Sequence, residues 1–219
     1  MTSMGIDTGC LEAVKLEEFG VFGGPRLLEV GCGDGRITAQ LAEKATCLVA
    51  VDPNENELMR AVHRVDRVLF SRASGVQLPF ADHSFDRVLF TLSLHHQDSR
   101  LALQEAVRVL VPGGRILAME PAVDGEAQQL FHFFEDETAA LESAMAAIAD
   151  SPLRITQATQ FEADWQFESK HEFSRYMFAY HDLAWNVQTE VGLFQQLGRK
   201  AADRPLVLKD KLNLLCLSV

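Results

Sequence analysis

Short, continuously apolar runs recur through the first part of the chain and constrain its fold more than any other feature. Each run is five to seven residues long, and segments long enough for a helical crossover or a long loop separate them. Apolar runs without polar alternation are typical of parallel strands that are buried on both faces. We therefore predict a doubly wound α/β sheet with helices on both faces and strands at 26–30, 46–52, 67–71, 86–92 and 114–120.

The chain changes in character after Pro121, where longer helical periodicities replace most of the strand-like runs. No Gly-, Ser- or Pro-rich linker separates the two parts, so we predict a single domain over residues 1–219. Two more strands are predicted at 161–168 and 211–219. One helix is predicted to begin after the N-cap Asp98, and one long helix is predicted over 124–149. A third is predicted from the capping box at Ser169 to about residue 180, and a fourth near 184–200.

Three glycines, Gly31, Gly33 and Gly35, follow the first predicted strand and open a predicted helix. Glycine lets the backbone turn sharply and leaves room for a ligand, and ligands of open α/β sheets bind at the carboxyl ends of strands. The loop lacks the lysine and hydroxyl of a phosphate-binding P-loop. It also departs from the dinucleotide fingerprint, because Asp34 opposes a pyrophosphate and Arg36 replaces the third small residue. The loop therefore favours a ligand without phosphates.

Asp52 ends the second predicted strand and so lies at the same edge of the sheet as the glycine loop. A carboxylate at this place can accept hydrogen bonds from both hydroxyls of a ribose. The glycine loop and Asp52 together indicate a nucleoside-binding site.

Charge and cysteine spacing limit the partners of the chain. The 20 Lys and Arg side chains against 31 Asp and Glu side chains give a net charge of −11, which disfavours nucleic acid as a partner. No apolar stretch approaches the length of a membrane span or signal peptide, so no membrane partner is expected. The four cysteines and the histidines lack ligand spacing, so we predict no metal site and expect a cytoplasmic protein.

Residues 24–121 contain four motifs in a fixed order, namely LLEVGCGDGRIT, AVDPN, LPFADHSFDRVLFTLSLHH and RVLVPGGRILAMEP. They resemble the motifs of class I S-adenosylmethionine-dependent methyltransferases, especially the small-molecule enzymes of the type 11 group. The resemblance implies a mostly parallel seven-stranded sheet in the order 3-2-1-4-5-7-6, with strand 7 antiparallel. It also implies that residues 24–121 bind the cofactor S-adenosylmethionine (product S-adenosylhomocysteine). Residues 1–23 and 122–200 would form a substrate lid and capping helices.

The resemblance further implies roles for individual residues. Glu29 would help to hold the amino group of the cofactor, Asp52 its ribose hydroxyls, and Pro53 would lie against the adenine. Ser74 departs from the family pattern, because related proteins often have an aspartate there that accepts from the adenine amino group, and serine is a weaker, neutral acceptor. The implied cofactor-binding residues are Glu29, Gly31, Cys32, Gly33, Gly35, Asp52, Pro53, Ser74, Gly75, Thr91 and Leu92.

Candidate catalytic and substrate residues come from the later segments. His95 and His96 follow the fourth predicted strand and could act as a base, because histidine titrates near neutral pH; the alternative is that both are loop residues without a role in proton transfer. Substrate contacts are predicted from the aromatic-rich region, although the same side chains could simply pack helices onto the sheet. These residues are His132, Phe133, Trp165 and Tyr176.

The expected function is transfer of a methyl group from S-adenosylmethionine to an oxygen, nitrogen, carbon or sulfur atom of an unidentified small molecule. A non-catalytic protein that binds S-adenosylmethionine or S-adenosylhomocysteine is the first alternative. A nucleotide-dependent oxidoreductase is the second, and Asp34 and Arg36 weigh against it. Monomer and homodimer both remain open.

Overall fold

The structure is a computed structural model that describes residue 7 and residues 9–219; the other residues of the predicted lid segment 1–23 lie outside this part. Its strands are β1 (Arg26–Val30), β2 (Cys47–Asp52), β3 (Leu69–Arg72), β4 (Phe85–Thr91), β5 (Leu110–Pro121), β6 (Arg154–Phe167) and β7 (Leu206–Ser218). They form one sheet in the order β3-β2-β1-β4-β5-β7-β6, which confirms the predicted order. Pairing is parallel from β3 across to β5.

The first helix precedes β1, and the other helices lie in the connections between the strands. Within the described residues none is long and apolar enough to cross a membrane. Short 3-10 helices cover Leu94–His96 and Gly198–Ala202. The α-helices are α1 (Leu11–Glu18), α2 (Arg36–Ala42), α3 (Glu55–Arg64), α4 (Ser99–Val109), α5 (Glu126–Phe131), α6 (Thr138–Asp150), α7 (Lys170–Tyr180) and α8 (Val187–Leu197).

Parallel pairing brings the carboxyl ends of four strands to one edge of the sheet. Val30 of β1 pairs with Val51 of β2 and with Phe90 of β4. Thr91 of β4 in turn pairs with Met119 of β5. The residues that follow these pairs therefore lie near one another, and this edge carries the candidate site.

Contacts within the chain divide it into two compact units. The large unit contains 12–120, 140–160 and 213–219. Its core packs apolar strand residues such as Leu28 and Phe90 with Ala106 of α4 and Ile148 of α6. The prediction of a single domain over 1–219 stays a prediction.

The small unit contains the described residues up to Leu11 together with 121–139 and 161–212. It has its own apolar cluster, in which buried aromatic residues of α5, β6 and α7 pack with leucines of other elements. Representative members are Phe131 of α5, Trp165 of β6, Phe173 of α7 and Leu206 of β7.

The prediction of one helix over 124–149 is wrong. α5 ends at Phe131 and α6 begins at Thr138, so the acidic run at 135–137 lies between helices and not on a helix face. The Asp136 carboxylate accepts a hydrogen bond from the Thr138 N–H at 3.0 Å, and acceptors of this kind favour helix starts over helix interiors. β5, β6 and β7 also begin earlier than the predicted starts at 114, 161 and 211.

Candidate functional site

The three glycines after β1 all have positive φ but meet different surroundings. A Cβ on Gly31 (φ 77°) would lie 2.5 Å from the Cβ of Ser93, and one on Gly35 (φ 80°) would lie 2.9 Å from the Cβ of Ala61 in α3. A Cβ on Gly33 (φ 52°) would have no described atom within 4 Å. Gly31 and Gly35 therefore allow close packing, whereas Gly33 borders open space that a ligand can use.

Asp52 joins the glycine loop to the turn after β2. Its Oδ2 accepts a hydrogen bond from the N–H of Gly33 at 2.9 Å, and its Oδ1 accepts one from the N–H of Asn54 at 2.8 Å. Each oxygen retains acceptor capacity for a ligand hydroxyl. Pro53 is exposed beside it, and its carbonyl accepts from Arg72 Nε. Two backbone groups thus fix a carboxylate at the strand end.

Glu29 places a second carboxyl group at this edge, in full burial. Thr38 Oγ1 of α2 donates to its Oε2 and Thr91 Oγ1 of β4 donates to its Oε1, each at 2.7 Å. Burial raises the pKa of Glu29 to about 7, although the two hydroxyl donors and the nearby Arg36 act to lower it. The site therefore contains a group that titrates near neutral pH and whose ionised form suits a cationic ligand group.

The turn after β3 packs against the end of β1. A Cβ on Gly75 would lie 2.6 Å from Cγ1 of Val30, so the turn approaches the strand closely. Ser74 Oγ accepts a hydrogen bond from the N–H of Val76 at 3.4 Å. Leu92, directly after β4, has φ 59°. Ser74, Gly75 and Leu92 thus belong to the large unit, together with the glycine loop and Asp52.

Glu120, at the end of β5, holds the segment after β4. The carboxylate is 1% exposed. Its Oε1 accepts hydrogen bonds from the N–H groups of Ser93 (3.2 Å) and Leu94 (2.8 Å). Its Oε2 is hydrogen-bonded to Nδ1 of His95. His95 is itself buried. The exposed His96 has its ring centroid 3.9 Å from that of His95. The structure therefore pairs one of the two candidate bases with a buried carboxylate.

The buried carboxylates Glu12 and Glu120 were not identified from the sequence. Glu12 of α1 is fully buried and accepts two hydrogen bonds from the Arg36 guanidinium, at 2.6 and 3.1 Å. Its partner is remote in sequence, so no local pattern marks it. Glu120 did carry a signal, because it is an acidic residue at the end of a buried strand, the same pattern that identified Asp52.

Cys32, within the glycine loop, is a packing residue. Its side chain is buried beside Ala50 of β2 and Leu58 of α3. Burial raises the pKa of its thiol, so a reactive thiolate is disfavoured.

The four predicted substrate residues belong to the small unit. Trp165 is 4% exposed, its Nε1 donates to Oδ2 of Asp210 at 3.2 Å, and its ring meets that of Tyr176 edge-on at 6.2 Å. Trp165 and Tyr176 thus pack in or against the core of that unit. Phe133 and His132 are exposed. Substrate contact by these residues stays a prediction.

The sequence around this edge matches a known protein family. Residues 28–118 match the family model described as a methyltransferase domain. The matched segment, 91 of the 219 residues, is thus similar to a methyltransferase domain. It contains Glu29, the glycine loop, Asp52 and His95, and it ends two residues before Glu120.

Two relatives resemble part of this chain in sequence. Methyltransferase GfsG of Streptomyces halstedii is 38% identical over 117 residues, which are 50% of this chain and 42% of that protein. The 27-O-demethylrifamycin SV methyltransferase of Amycolatopsis mediterranei is 39% identical over 101 residues, which are 42% of this chain and 37% of that protein. The matches thus span less than half of either relative.

A solved structure shares the fold of the chain. The geranyl diphosphate methyltransferase in complex with S-adenosylmethionine superposes with a TM-score of 0.59 at 18% identity, over 96% of this chain and 86% of that one. The likeness extends the shared architecture beyond the methyltransferase domain matched in sequence.

Proposed function

We propose that the chain is an S-adenosylmethionine-dependent methyltransferase that acts on a small molecule. The methyltransferase domain supports the use of S-adenosylmethionine, which a structural neighbour holds. The name of one relative supports a small-molecule acceptor, since that protein is a 27-O-demethylrifamycin SV methyltransferase.

The carboxylate of Asp52 is the observation that carries the proposal. It is held at the end of β2 by two backbone N–H groups and can accept from a ribose diol. Glu29, one residue before the end of β1, is fully buried beside two threonine hydroxyls, so it would act on the amino end of the same ligand through its charge and not by contact. Gly33, which borders open space, lies between Glu29 and Asp52 in sequence. The residues of this edge therefore fit the cofactor.

S-adenosylmethionine, when bound, supplies a methyl group already activated for displacement. The chain contributes chiefly by holding the acceptor in line with that group at attack distance. His95 and His96 are proposed as the groups that take a proton from an acceptor that holds one tightly.

Isothermal titration calorimetry tests the proposed cofactor. We expect binding of S-adenosylhomocysteine and none of NADH. Asp52→Asn should weaken S-adenosylhomocysteine binding by about 10- to 100-fold, because a charge-assisted hydrogen bond contributes about 1.5–3 kcal/mol. Asp98→Asn is the matched control: Asp98 also accepts from a backbone N–H, that of Leu101 at 3.0 Å, and asparagine is an equally good N-cap.

Two outcomes would contradict the proposal. Binding of NADH with no binding of S-adenosylhomocysteine would favour the oxidoreductase alternative. Binding of S-adenosylhomocysteine without conversion of S-adenosylmethionine by any acceptor of a small-molecule panel would favour the non-catalytic alternative.

A further inference from the structure

β6 lies at one end of the sheet, so one of its backbone edges has no neighbouring strand among the described residues. Its inner edge faces β7, where Thr156 Oγ1 donates to the carbonyl of Cys216 at 3.1 Å. The side chains at 154–158, 160 and 162 are exposed, and Ile155 keeps 49% of its surface in contact with solvent. The outer edge of residues 154–162 can therefore form hydrogen bonds with a further strand.

This part of β6 lacks the features that usually protect an edge strand. Natural edge strands are often very short, or they carry lysine or proline. β3, at the other end of the sheet, is only four residues long. The segment RITQATQFE at 154–162 contains no lysine, proline or glycine, and its two charged residues, Arg154 and Glu162, cancel. A second strand can thus approach a neutral segment of a chain whose net charge is −11.

The segment is complementary to itself when a second copy runs antiparallel to it, centred on Ala158. An ion pair, a pair of a β-branched with an aromatic residue, and two polar pairs then lie opposite each other, and such pairs stabilise antiparallel strands. Each pair occurs twice, as a two-fold axis requires. The opposed pairs are Arg154–Glu162, Ile155–Phe161, Thr156–Gln160 and Gln157–Thr159.

We propose that the outer edge of residues 154–162 is a dimerisation surface and that its partner is the same segment of a second copy of this chain. The two strands pair antiparallel about a two-fold axis at Ala158, and the two sheets become one continuous sheet. The assembly stops at two copies, because each segment occupies the edge of the other.

The charges of Arg154 and Glu162 select this arrangement over its alternatives. Within the described residues Arg154 forms no ion pair, and Lys209, a cation near Glu162, is paired with Asp164 at 2.5 Å. Parallel pairing in register would place like charges side by side, which destabilises a strand pair. A shift of the antiparallel register by one residue would remove both ion pairs.

Pairing through a single strand limits the strength of the dimer. It buries less surface than a standard interface of about 1,600 Å². We therefore expect a reversible dimer that forms at concentrations on the order of 10–100 µM.

Sedimentation velocity of the full chain tests the dimer, over concentrations from about 1 to 300 µM. The wild type should shift from monomer to dimer, with nothing larger. Arg154→Glu and Glu162→Arg should each weaken the dimer by about tenfold or more, because each substitution sets two like-charge pairs opposite each other. An equimolar mixture of the two variants should restore the dimer, since every opposed charge pair again joins an acid and a base.

Arg175→Glu is the matched control. Arg175 is exposed in α7, outside the segment, and its substitution changes the net charge by the same amount as Arg154→Glu. At physiological ionic strength a remote charge is screened, so the control should change the dissociation constant by less than about twofold.

Hydrogen–deuterium exchange of the wild type places the contact. Peptides from 154–162 should exchange more slowly at high than at low protein concentration, whereas those from β3 should not change. Protection that appears elsewhere but not at 154–162 would assign the dimer to another surface and reject the proposal.

The remaining outcomes of sedimentation also decide the matter. A wild type that stays monomeric throughout, or that forms species larger than a dimer, would overturn the proposal. So would a dimer that Arg154→Glu weakens no more than Arg175→Glu does, or a mixture of the two β6 variants that fails to associate. All the substituted side chains are exposed, and circular dichroism checks that the variants fold. None of these results depends on S-adenosylmethionine, so the proposed function stands or falls separately.

Discussion

Glu29 and Asp52 are acidic residues at the same edge of the sheet, but they are held by different donors. Asp52 accepts from two backbone N–H groups and keeps 8% of its surface exposed. Glu29 is fully buried and accepts from two threonine hydroxyls. Hydroxyl groups can also accept a hydrogen bond, so the surroundings of Glu29 tolerate a protonated carboxyl group. Glu29 is therefore sensitive to pH near neutrality.

Stability should therefore depend on pH through Glu29. Its folded-state pKa of about 7 exceeds the ordinary value of 4.5, so the folded protein retains a proton that the unfolded chain releases. The contribution of this group to stability is present below about pH 4.5 and is lost as the pH rises to about 7. Replacing the group by Glu29→Gln should thus stabilise the protein, relative to wild type, by up to about 3 kcal/mol more at pH 8 than at pH 5.

Urea unfolding of both proteins at the two pH values measures this difference. Glu105→Gln provides the control, because Arg108 lowers the pKa of the Glu105 carboxyl and its titration falls below this range. Its stability relative to wild type should stay constant from pH 5 to 8. A Glu29→Gln variant whose relative stability is also constant would show that Glu29 is ionised throughout.

The sequence predicted the residues of this edge better than their partners. The place of Asp52 followed from the strand pattern and the glycine loop, and Glu29 was implied by the family resemblance. Thr38 and Thr91, which donate to Glu29, come from two different elements, and no local rule links them. Burial and pKa depend on such remote contacts, and they became visible only in the folded chain.

At the level of elements, the glycine loop meets two requirements, close packing of helices and space for a ligand, and its sequence alone does not distinguish them. Gly35 lets α2 approach α3 at Ala61, whereas Gly33 borders open space. Both have positive φ, so both substitutions carry backbone strain. Only a substitution of Gly35 also creates a steric clash within the fold, with Ala61.

Alanine substitutions should separate the two requirements. Gly33→Ala should cost about 1–2 kcal/mol of stability through backbone strain alone, and Gly35→Ala at least about 3 kcal/mol, because overpacking adds to the strain. We also expect Gly33→Ala to weaken S-adenosylhomocysteine binding more than tenfold, since its Cβ enters the ligand space. Urea unfolding and calorimetry measure the two effects, and equal destabilisation by both substitutions would contradict this reading of the loop.

Element boundaries were predicted well where periodicity and caps agree. Helix α7 begins after Ser169, whose Oγ accepts from the N–H of Glu172 at 3.4 Å, as the capping box predicted. The break between α5 and α6 was missed, because apolar periodicity continues across it while the decisive contact is a side-chain hydrogen bond of Asp136. The sequence pattern was therefore least informative where a side chain competes with the backbone for a hydrogen bond.

The whole molecule consists of two units that share strands. β6 and β7 each continue from one unit into the other without a break in the strand. Both tryptophans, Trp165 and Trp185, belong to the small unit, and Trp165 is buried there. Tryptophan fluorescence thus reports on the small unit, while circular dichroism reports on both.

Unfolding should be a single transition, because strands that run through both units cannot lose order in one alone without fraying in the other. We expect urea curves from fluorescence and from far-ultraviolet circular dichroism to coincide. S-adenosylhomocysteine should shift both midpoints by the same amount. A fluorescence transition at lower urea would show that the small unit unfolds by itself and would contradict the prediction of one domain.

The position of β7 affects how the protein is made. β7 follows every other strand in the chain, yet it lies between β5 and β6 in the sheet. During synthesis the edge of β5 therefore remains unpaired until residues 206–218 have left the ribosome. An unpaired strand edge can form hydrogen bonds with other chains and so aggregate. A chain that lacks residues 206–218 would carry an unpaired β5 edge, so protection of the sheet from aggregation depends on that segment.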